Sequence, residues 1–114
     1  RDSLVTPATI AAGGGLVTIG SDTPLSWPAL ALHAQLRAYA TVVGNHAALQ
    51  AVTLNAARYA KLDRDLGSIE VGKIADLLLV RGNPLEDVRH AADIELIIKN
   101  GVGITVDEIL ARYR

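Results

Sequence analysis

The chain has 114 residues, half of them apolar, and a formal net charge of −1. This length is typical of one domain, whereas a complete (β/α)8 barrel needs roughly 200 residues or more. The charges are scattered, and no apolar run approaches the roughly 18 residues of a membrane span, so the sequence indicates neither a nucleic-acid-binding surface nor a membrane partner. Cysteine is absent, which excludes disulfides and thiolate metal sites.

The start of the chain predicts the end of a helix followed by a strand. Residues 8–12 favour a helix that stops at the glycines of 13–15. A phosphate cradle normally follows a strand and opens a helix, so these glycines are better interpreted as a connection. The bulky residues 16–19 predict a short strand that is apolar on both faces, as in a covered parallel sheet. Pro24 ends that strand.

Two helices are predicted next. Apolar residues recur at helical spacing over residues 29–43, and Gly44 is a natural stop. Asn45 is a favourable N-cap for a second helix, which we expect to cover residues 46–60 and to be thin because it is rich in alanine.

No basic segment precedes a hydrophobic stretch, so the sequence shows no signal peptide and slightly favours a cytoplasmic location.

Short strands dominate the rest of the chain. They are expected at residues 75–80, 94–99 and 102–106, and residues 68–70 are expected to be short and extended, which gives three or four strands in all. Asn100 and Gly101 are the preferred pair for a tight hairpin turn between the last two strands. Asp107 is positioned to cap a final helix over residues 108–113.

Asp22 is the main candidate for chemistry. It directly follows the predicted strand 16–19, and α/β folds carry their chemistry at the carboxyl ends of such strands. A carboxylate before Thr-Pro is also an ordinary turn and helix-start residue. Position alone therefore leaves both interpretations open.

Two motifs resemble the metal-dependent amidohydrolase superfamily. The first is Gly-Ser-Asp-Thr-Pro at 20–24 with Leu-His-Ala-Gln-Leu-Arg in the helix that follows, and the second is Leu-Gly-Ser-Ile-Glu-Val-Gly-Lys-Ile-Ala-Asp-Leu at 66–77. Within this superfamily, the chain resembles imidazolonepropionase-like and Xaa-Pro-dipeptidase-like members, over residues 11–109. Those enzymes are much longer, and the chain starts at Arg1 without any methionine, so we expect a C-terminal fragment.

The resemblance implies an α/β fold in two parts. Residues 1–60 would hold the last strand-helix unit of a (β/α)8 TIM barrel, with residues 16–20 as strand eight and residues 29–43 as helix eight. Residues 61–114 would supply short strands of a C-terminal composite β-sandwich, which N-terminal strands of the parent protein complete.

The resemblance also implies hydrolysis of a C–N bond in an amide, dipeptide or cyclic amide. The parent would bind one or two divalent ions, usually Zn²⁺. Asp22 would be the last metal ligand and would pass a proton from the metal-bound water to the leaving nitrogen. Catalytic zinc normally has three protein ligands, and only Asp22 matches the family's set, so we expect this chain alone to be inactive.

The other polar candidates are weaker. Ser21 and Thr23 flank Asp22 and either hold its carboxylate by hydrogen bonds or form local turn hydrogen bonds. His33 either faces the mouth of the pocket or lies on an ordinary helix face. His46 and His90 are too far apart along the chain to complete a local metal cluster.

Lys73 and Asp76 are interpreted as turn and strand-start residues, since the predicted topology separates them from the barrel mouth.

The unpaired strands predict association, either of copies of this chain or with the missing N-terminal part. The alternative to an enzyme is a stand-alone, non-catalytic α/β association module, because a resemblance of fold does not establish activity.

Overall fold

The computed structural model describes residues 2–21 and 28–113, which form a mixed α/β structure. The helices of the first half are α1 (Asp2–Ala12), α2 (Pro28–Val43), α3 (Asn45–Val52) and α4 (Leu54–Tyr59). The second half holds β1 (Leu77–Val80), a 3-10 helix (Val88–Ala92), β2 (Ile94–Lys99), β3 (Val102–Thr105) and α5 (Val106–Ala111).

The predicted helix 29–43 is confirmed as α2, but the cap of the next helix differs from the prediction. Gly44, with φ of 83°, is the N-cap of α3, and Asn45 is the first residue inside that helix. The side-chain amide of Asn45 instead donates to the carbonyls of Leu85 and Glu86, at 3.1 and 2.9 Å. This contact joins α3 to a loop of the second half and takes the amide away from capping.

The prediction of one continuous helix over 46–60 is wrong, because the helix breaks at Thr53. This residue has φ of −120° and ψ of −93°, which is not helical. Its hydroxyl donates to the carbonyl of Leu49 at 2.8 Å, a type of bond that commonly bends helices. The chain then resumes as α4, whose first bond runs from the Ala57 amide to the Thr53 carbonyl.

The second half folds as a three-stranded antiparallel sheet in the order β1-β2-β3. The predicted strand 94–99 is confirmed, and the strands expected at 75–80 and 102–106 are present with slightly shorter bounds. Asn100 and Gly101, with φ of 50° and 79°, form the expected hairpin turn. The segment 68–70, expected to be short and extended, pairs with no strand in the described part of the chain, and it is flanked by Gly67 and Gly72 with φ of 93° and 92°.

Helix α5 begins earlier than the sequence suggests. Thr105 is its N-cap and accepts a hydrogen bond from the Glu108 amide, while the Glu108 carboxylate accepts from the Thr105 amide. This is a complete capping box. The prediction of Asp107 as the cap is therefore wrong, and Asp107 lies in the first turn, where a carboxylate still favours the helix dipole.

The hydrophobic core lies between α2 and α3. Its buried side chains are Leu36, Tyr39, Ala40, Ala48, Ala51 and Val88. Among the described residues of the second half, Val88 of the 3-10 helix is buried in this cluster and Ala91 packs against it, partly buried. Alanines on α3 allow the close approach to α2 that a thin helix permits, as the composition predicts.

Residues 15–20 form no strand in the part of the chain that the structure describes, so the prediction of a strand at 16–19 is wrong as stated. A strand needs a neighbouring strand for its ladder, and the described residues offer none beside this segment. The segment is hydrogen-bonded to the helices instead. The barrel, the composite sandwich and the division at residue 60 stay predictions.

Candidate functional site

Asp22 and Thr23, the central residues of the predicted site, lie outside the described residues. The structure does describe the segment that leads to them, residues 15–21, and it places Ser21 in a half-buried position at its end. The path of this segment is the structural information that bears on Asp22.

Three hydrogen bonds hold the segment against the junction of α3 and α4. The Ala51 carbonyl accepts from the Thr18 hydroxyl at 3.1 Å and from the Ile19 amide at 3.4 Å. The side-chain amide of Asn55 donates to the Val17 carbonyl at 3.0 Å. Val17 and Ile19 also pack, partly buried, against the core cluster. The segment before Asp22 is therefore fixed by both polar and apolar contacts.

The break at Thr53 makes these bonds possible. The last four carbonyls of a helix have no partner within it, and Ala51 is the next-to-last residue of α3. An uninterrupted helix would have used the Ala51 carbonyl for its own bond. Asn55 stands in the first turn of α4, directly beyond the break.

Sequence reasoning missed this role of Ala51 and Asn55. The available signal was Thr53 and Asn55 inside an alanine-rich helix, since both residue types compete with helical hydrogen bonds through their side chains. That signal predicts a weak point in the helix, but it does not reveal which segment fills the gap.

The three histidines do not converge. His33 is half-buried in the second turn of α2, and His46 is exposed at the start of α3. His90 packs its ring against Gly82, where an added Cβ would lie 2.5 Å from the imidazole Nδ1. This close approach and the φ of 77° at Gly82 each favour glycine at this position.

Lys73 organises the loop that precedes the sheet. Its side chain is 12% exposed and lies 3.1 Å from the Glu70 carboxylate. The ammonium also donates to the Asp63 carbonyl at 2.8 Å and to the Ser68 hydroxyl at 2.6 Å. Hydrogen bonds from Ser68 and Lys73 hold the pKa of Glu70 below its usual value. The loop 63–73 is thus closed around one nearly buried cation.

Asp76 has a separate structural role at the hairpin. Its carboxylate accepts hydrogen bonds from the Lys99 ammonium and, at 2.7 Å, from the Asn100 amide. These two bonds, Lys99 first, lower the pKa of Asp76. The Gly101 amide donates to the neighbouring Ala75 carbonyl at 3.0 Å. The motif at 66–77 therefore closes one loop and fixes one turn, as the interpretation of its Lys and Asp as structural residues predicts.

A sequence model described as "Amidohydrolase family" matches residues 6–106. The chain belongs to the amidohydrolase family. Both the segment before Asp22 and the loop-and-hairpin motif at 66–77 lie within the matched range.

Individual relatives agree with this assignment. The chain is 35% identical to a 5-methylthioadenosine/S-adenosylhomocysteine deaminase of Moorella thermoacetica, over 79% of this chain and 26% of that protein. A putative prolidase from Bifidobacterium longum shares its structure with a TM-score of 0.76 and 31% identity, over 89% of this chain and 26% of that one. A Xaa-Pro dipeptidase with methionine bound in its active site gives a TM-score of 0.77 and 28% identity, covering 90% and 25%.

This amidohydrolase chain therefore spans about a quarter of the length of the relatives that it matches. Residues 2–21 and 28–113 contain no group of three or more His, Asp or Glu side chains that could hold a metal ion. Across the same residues, no helix is both long enough and apolar enough to cross a bilayer.

An apolar groove of about 610 Å³ runs between the α3–α4 pair and β1. Leu49 and Val52 of α3 line one wall, and Leu77, Leu78 and Val80 of β1 line the other. Among the residues that the structure describes, β1 is also an outer strand of the sheet. None of the described residues 15–21 lines this groove, so it is separate from the segment before Asp22.

Proposed function

We propose that the chain is the C-terminal part of a metal-dependent amidohydrolase that hydrolyses a C–N bond in an amide, dipeptide or cyclic amide. The observation that carries this proposal is the family match over residues 6–106. The named relatives support it further, because a deaminase and a dipeptidase both break C–N bonds with water. The substrate itself depends on the three quarters of such proteins that lie outside this chain.

Asp22 is the residue of this chain that takes part in the reaction under this proposal. Asp22 would contribute one carboxylate ligand to a divalent metal, with Zn²⁺ the first choice, and a bound metal of this kind would lower the pKa of its water to about 7. The Asp22 carboxylate would accept a proton from the attacking water and return it to the leaving nitrogen. Ser21, Thr23 and His33 are proposed to orient that carboxylate or the substrate.

The test is Asp22→Asn in the complete protein that carries this chain, assayed with Xaa-Pro dipeptides and with 5-methylthioadenosine. Loss of a general base typically costs about 10²–10⁴-fold in rate, and we expect kcat to fall by that much. Asp107→Asn is the matched control, because Asp107 is exposed in the first turn of α5. Full activity of the Asp22→Asn protein would refute the proposed role.

We further propose that the isolated chain has no hydrolase activity and binds zinc weakly or not at all. Equilibrium dialysis with Zn²⁺ measures this directly. A tight stoichiometric site that Asp22→Asn abolishes would show that the chain holds further ligands.

The isolated chain is also proposed to associate, with copies of itself or with the N-terminal part of the enzyme. Leu78 and Leu79 of β1 are 57% and 52% exposed, and the groove beside them is apolar. Unpaired edges and exposed apolar surface favour pairing between chains. Sedimentation equilibrium at micromolar concentration should show oligomers, and Leu78→Lys should reduce them. A stable monomer with a cooperative melt would instead favour the stand-alone, non-catalytic module.

A further inference from the structure

The contacts at the helix break suggest a role beyond folding. Asn55 reaches the carbonyl of Val17, which is 38 positions away in sequence and five before Asp22. Thr18 reaches the Ala51 carbonyl on the other side of the same break. Both bonds are partly buried. The two bonds thus attach the segment to both sides of the helix break, to Ala51 before it and to Asn55 after it.

We propose that Asn55 and Thr18 are positioning residues that set the location of the Asp22 carboxylate by holding residues 17–19 against the break between α3 and α4. This inference rests on the proposed function of Asp22. Asn55 would act by donating its side-chain amide to the Val17 carbonyl. Thr18 would act by donating its hydroxyl to the Ala51 carbonyl, which also accepts from the Ile19 amide.

The arrangement suits positioning because its two halves restrain the segment in different ways. The Ala51 carbonyl accepts two bonds from consecutive residues, which fixes the segment along its length. The side-chain amide of Asn55 holds the Val17 carbonyl at a hydrogen-bond distance of 3.0 Å and so attaches the segment to α4. A shift of about 1 Å in a reacting group can cost about 10²-fold in rate, so loss of one restraint should reach kcat.

Asn45 provides a matched control for Asn55. Both are half-buried asparagines at the start of a helix, and each donates its side-chain amide to backbone carbonyls about 40 positions away. Asn45 binds the loop at Leu85 and Glu86, however, and not the segment before Asp22. Asn55→Leu and Asn45→Leu therefore remove the same chemistry from two different places.

The experiment compares these two variants in the complete protein, by hydrogen exchange of the peptide that covers residues 16–22 and by steady-state kinetics. For Asn55→Leu we expect faster exchange in that peptide. We also expect kcat to fall by about tenfold, with KM unchanged. For Asn45→Leu we expect lower thermal stability but wild-type exchange at 16–22 and wild-type kcat. Equal effects of the two variants on kcat, or unchanged exchange in Asn55→Leu, would overturn the inference.

Two further variants keep the test decisive if Asn55→Leu fails to fold. Thr18→Val has nearly the same volume and lacks only the hydroxyl, and it should reproduce the loss of kcat. Asn55→Asp places an acceptor beside the Val17 carbonyl when ionised, but a donor when protonated. Its kcat relative to the wild type should rise as the pH falls towards about 4, the usual pKa of aspartate. A flat ratio would contradict the role of the donated bond.

The outcomes also separate this inference from the proposed function. If Asp22→Asn remains active, the proposed function fails whatever Asn55 does. If Asp22→Asn is inactive and Asn55→Leu behaves like Asn45→Leu, the proposed function stands and the positioning role fails.

Discussion

The helical first half and the stranded second half of this chain are stabilised in different ways. Helices α2 and α3 bury the side chains of Leu36, Tyr39, Ala48 and Ala51 against each other. No residue of β1, β2 or β3 reaches the same burial, although these strands are rich in Leu and Ile. The helices therefore carry their own core, whereas the sheet depends on backbone ladders, turns and caps.

This difference in burial bears on the proposed site at Asp22. The segment before Asp22 rests on the half that has a core, through bonds to Ala51 and Asn55. Leu78 and Leu79 of the sheet are more than half exposed, and β1 is an outer strand among the residues that the structure describes. We infer that the helical half positions chemistry and that the sheet joins this chain to other polypeptide.

The largest expected difference is in the cost of truncating a leucine. Leu36 on α2 is 3% exposed, and Leu36→Ala should lower the free energy of unfolding by about 2–5 kcal/mol, because it leaves a cavity in a packed core. Leu79→Ala on β1 should cost about 1 kcal/mol or less. Urea unfolding followed by circular dichroism compares the two variants at one protein concentration. Equal costs would mean that the sheet is buried in solution.

The next largest change in stability is expected at Gly67, which contacts Ala57 of the helical half. A Cβ at Gly67 would lie 2.6 Å from the Cβ of Ala57 on α4, whereas Gly72 has the same positive φ and open space around it. Gly72→Ala should cost about 1–2 kcal/mol for its backbone conformation alone. Gly67→Ala should cost about 1–3 kcal/mol more, since α4 must move away. Similar melting temperatures for the two variants would show that this contact is not maintained.

The capping box of α5 tests how much local bonds contribute to the second half. Thr105→Ala removes the hydroxyl that caps the helix and should lower stability by about 1 kcal/mol. Thr41→Ala is the control, because the Thr41 hydroxyl only bonds the Ala38 carbonyl within α2. Thermal melts should show a loss for the first variant alone. A loss in both would point to a general effect of removing threonine.

The smallest expected effect concerns pH and the 3-10 helix that carries Val88 into the core. Hydrogen bonds from Arg89 lower the pKa of Asp87 to about 2, and the Asp87 carboxylate also caps this helix. The pKa is lower in the folded state, so the stabilisation is present above the unfolded value of about 4 and is lost as the pH falls towards 2. The pair is exposed, so the contribution is small.

Melting curves between pH 6 and pH 2 measure this effect. Asp87→Asn should melt at a lower temperature than the wild type at pH 6 and should converge with it near pH 2. A constant difference at every pH would show that the carboxylate charge does not contribute.

Local pattern was sufficient for several elements. The helical spacing over 29–43 and the alternation over 94–99 predict α2 and β2 with nearly their observed bounds. Asn100 and Gly101 predict the hairpin because few residues accept positive φ at both positions. The motifs at 20–24 and 66–77 were sufficient to assign the family, which the match over 6–106 confirms.

The sequence also pointed to Asp22 as the residue to test, and that assignment stays a prediction because Asp22 lies outside the described residues. The supporting residues were not predictable in the same way. Asn45, Asn55 and Lys73 all have ordinary local interpretations, as a helix cap, a helix residue and a turn residue.

Tertiary structure decided what these residues do. Thr18 bonds a carbonyl 33 positions away, and Asn45 and Asn55 reach 41 and 38 positions, so no local window contains both partners. The break at Thr53 is stable because a distant segment uses the carbonyl that the break releases, and a buried polar group needs such a partner. Residue type and spacing thus determined the elements and the family of this protein, whereas the contacts between distant segments determined where α3 ends and how the chain before Asp22 is held.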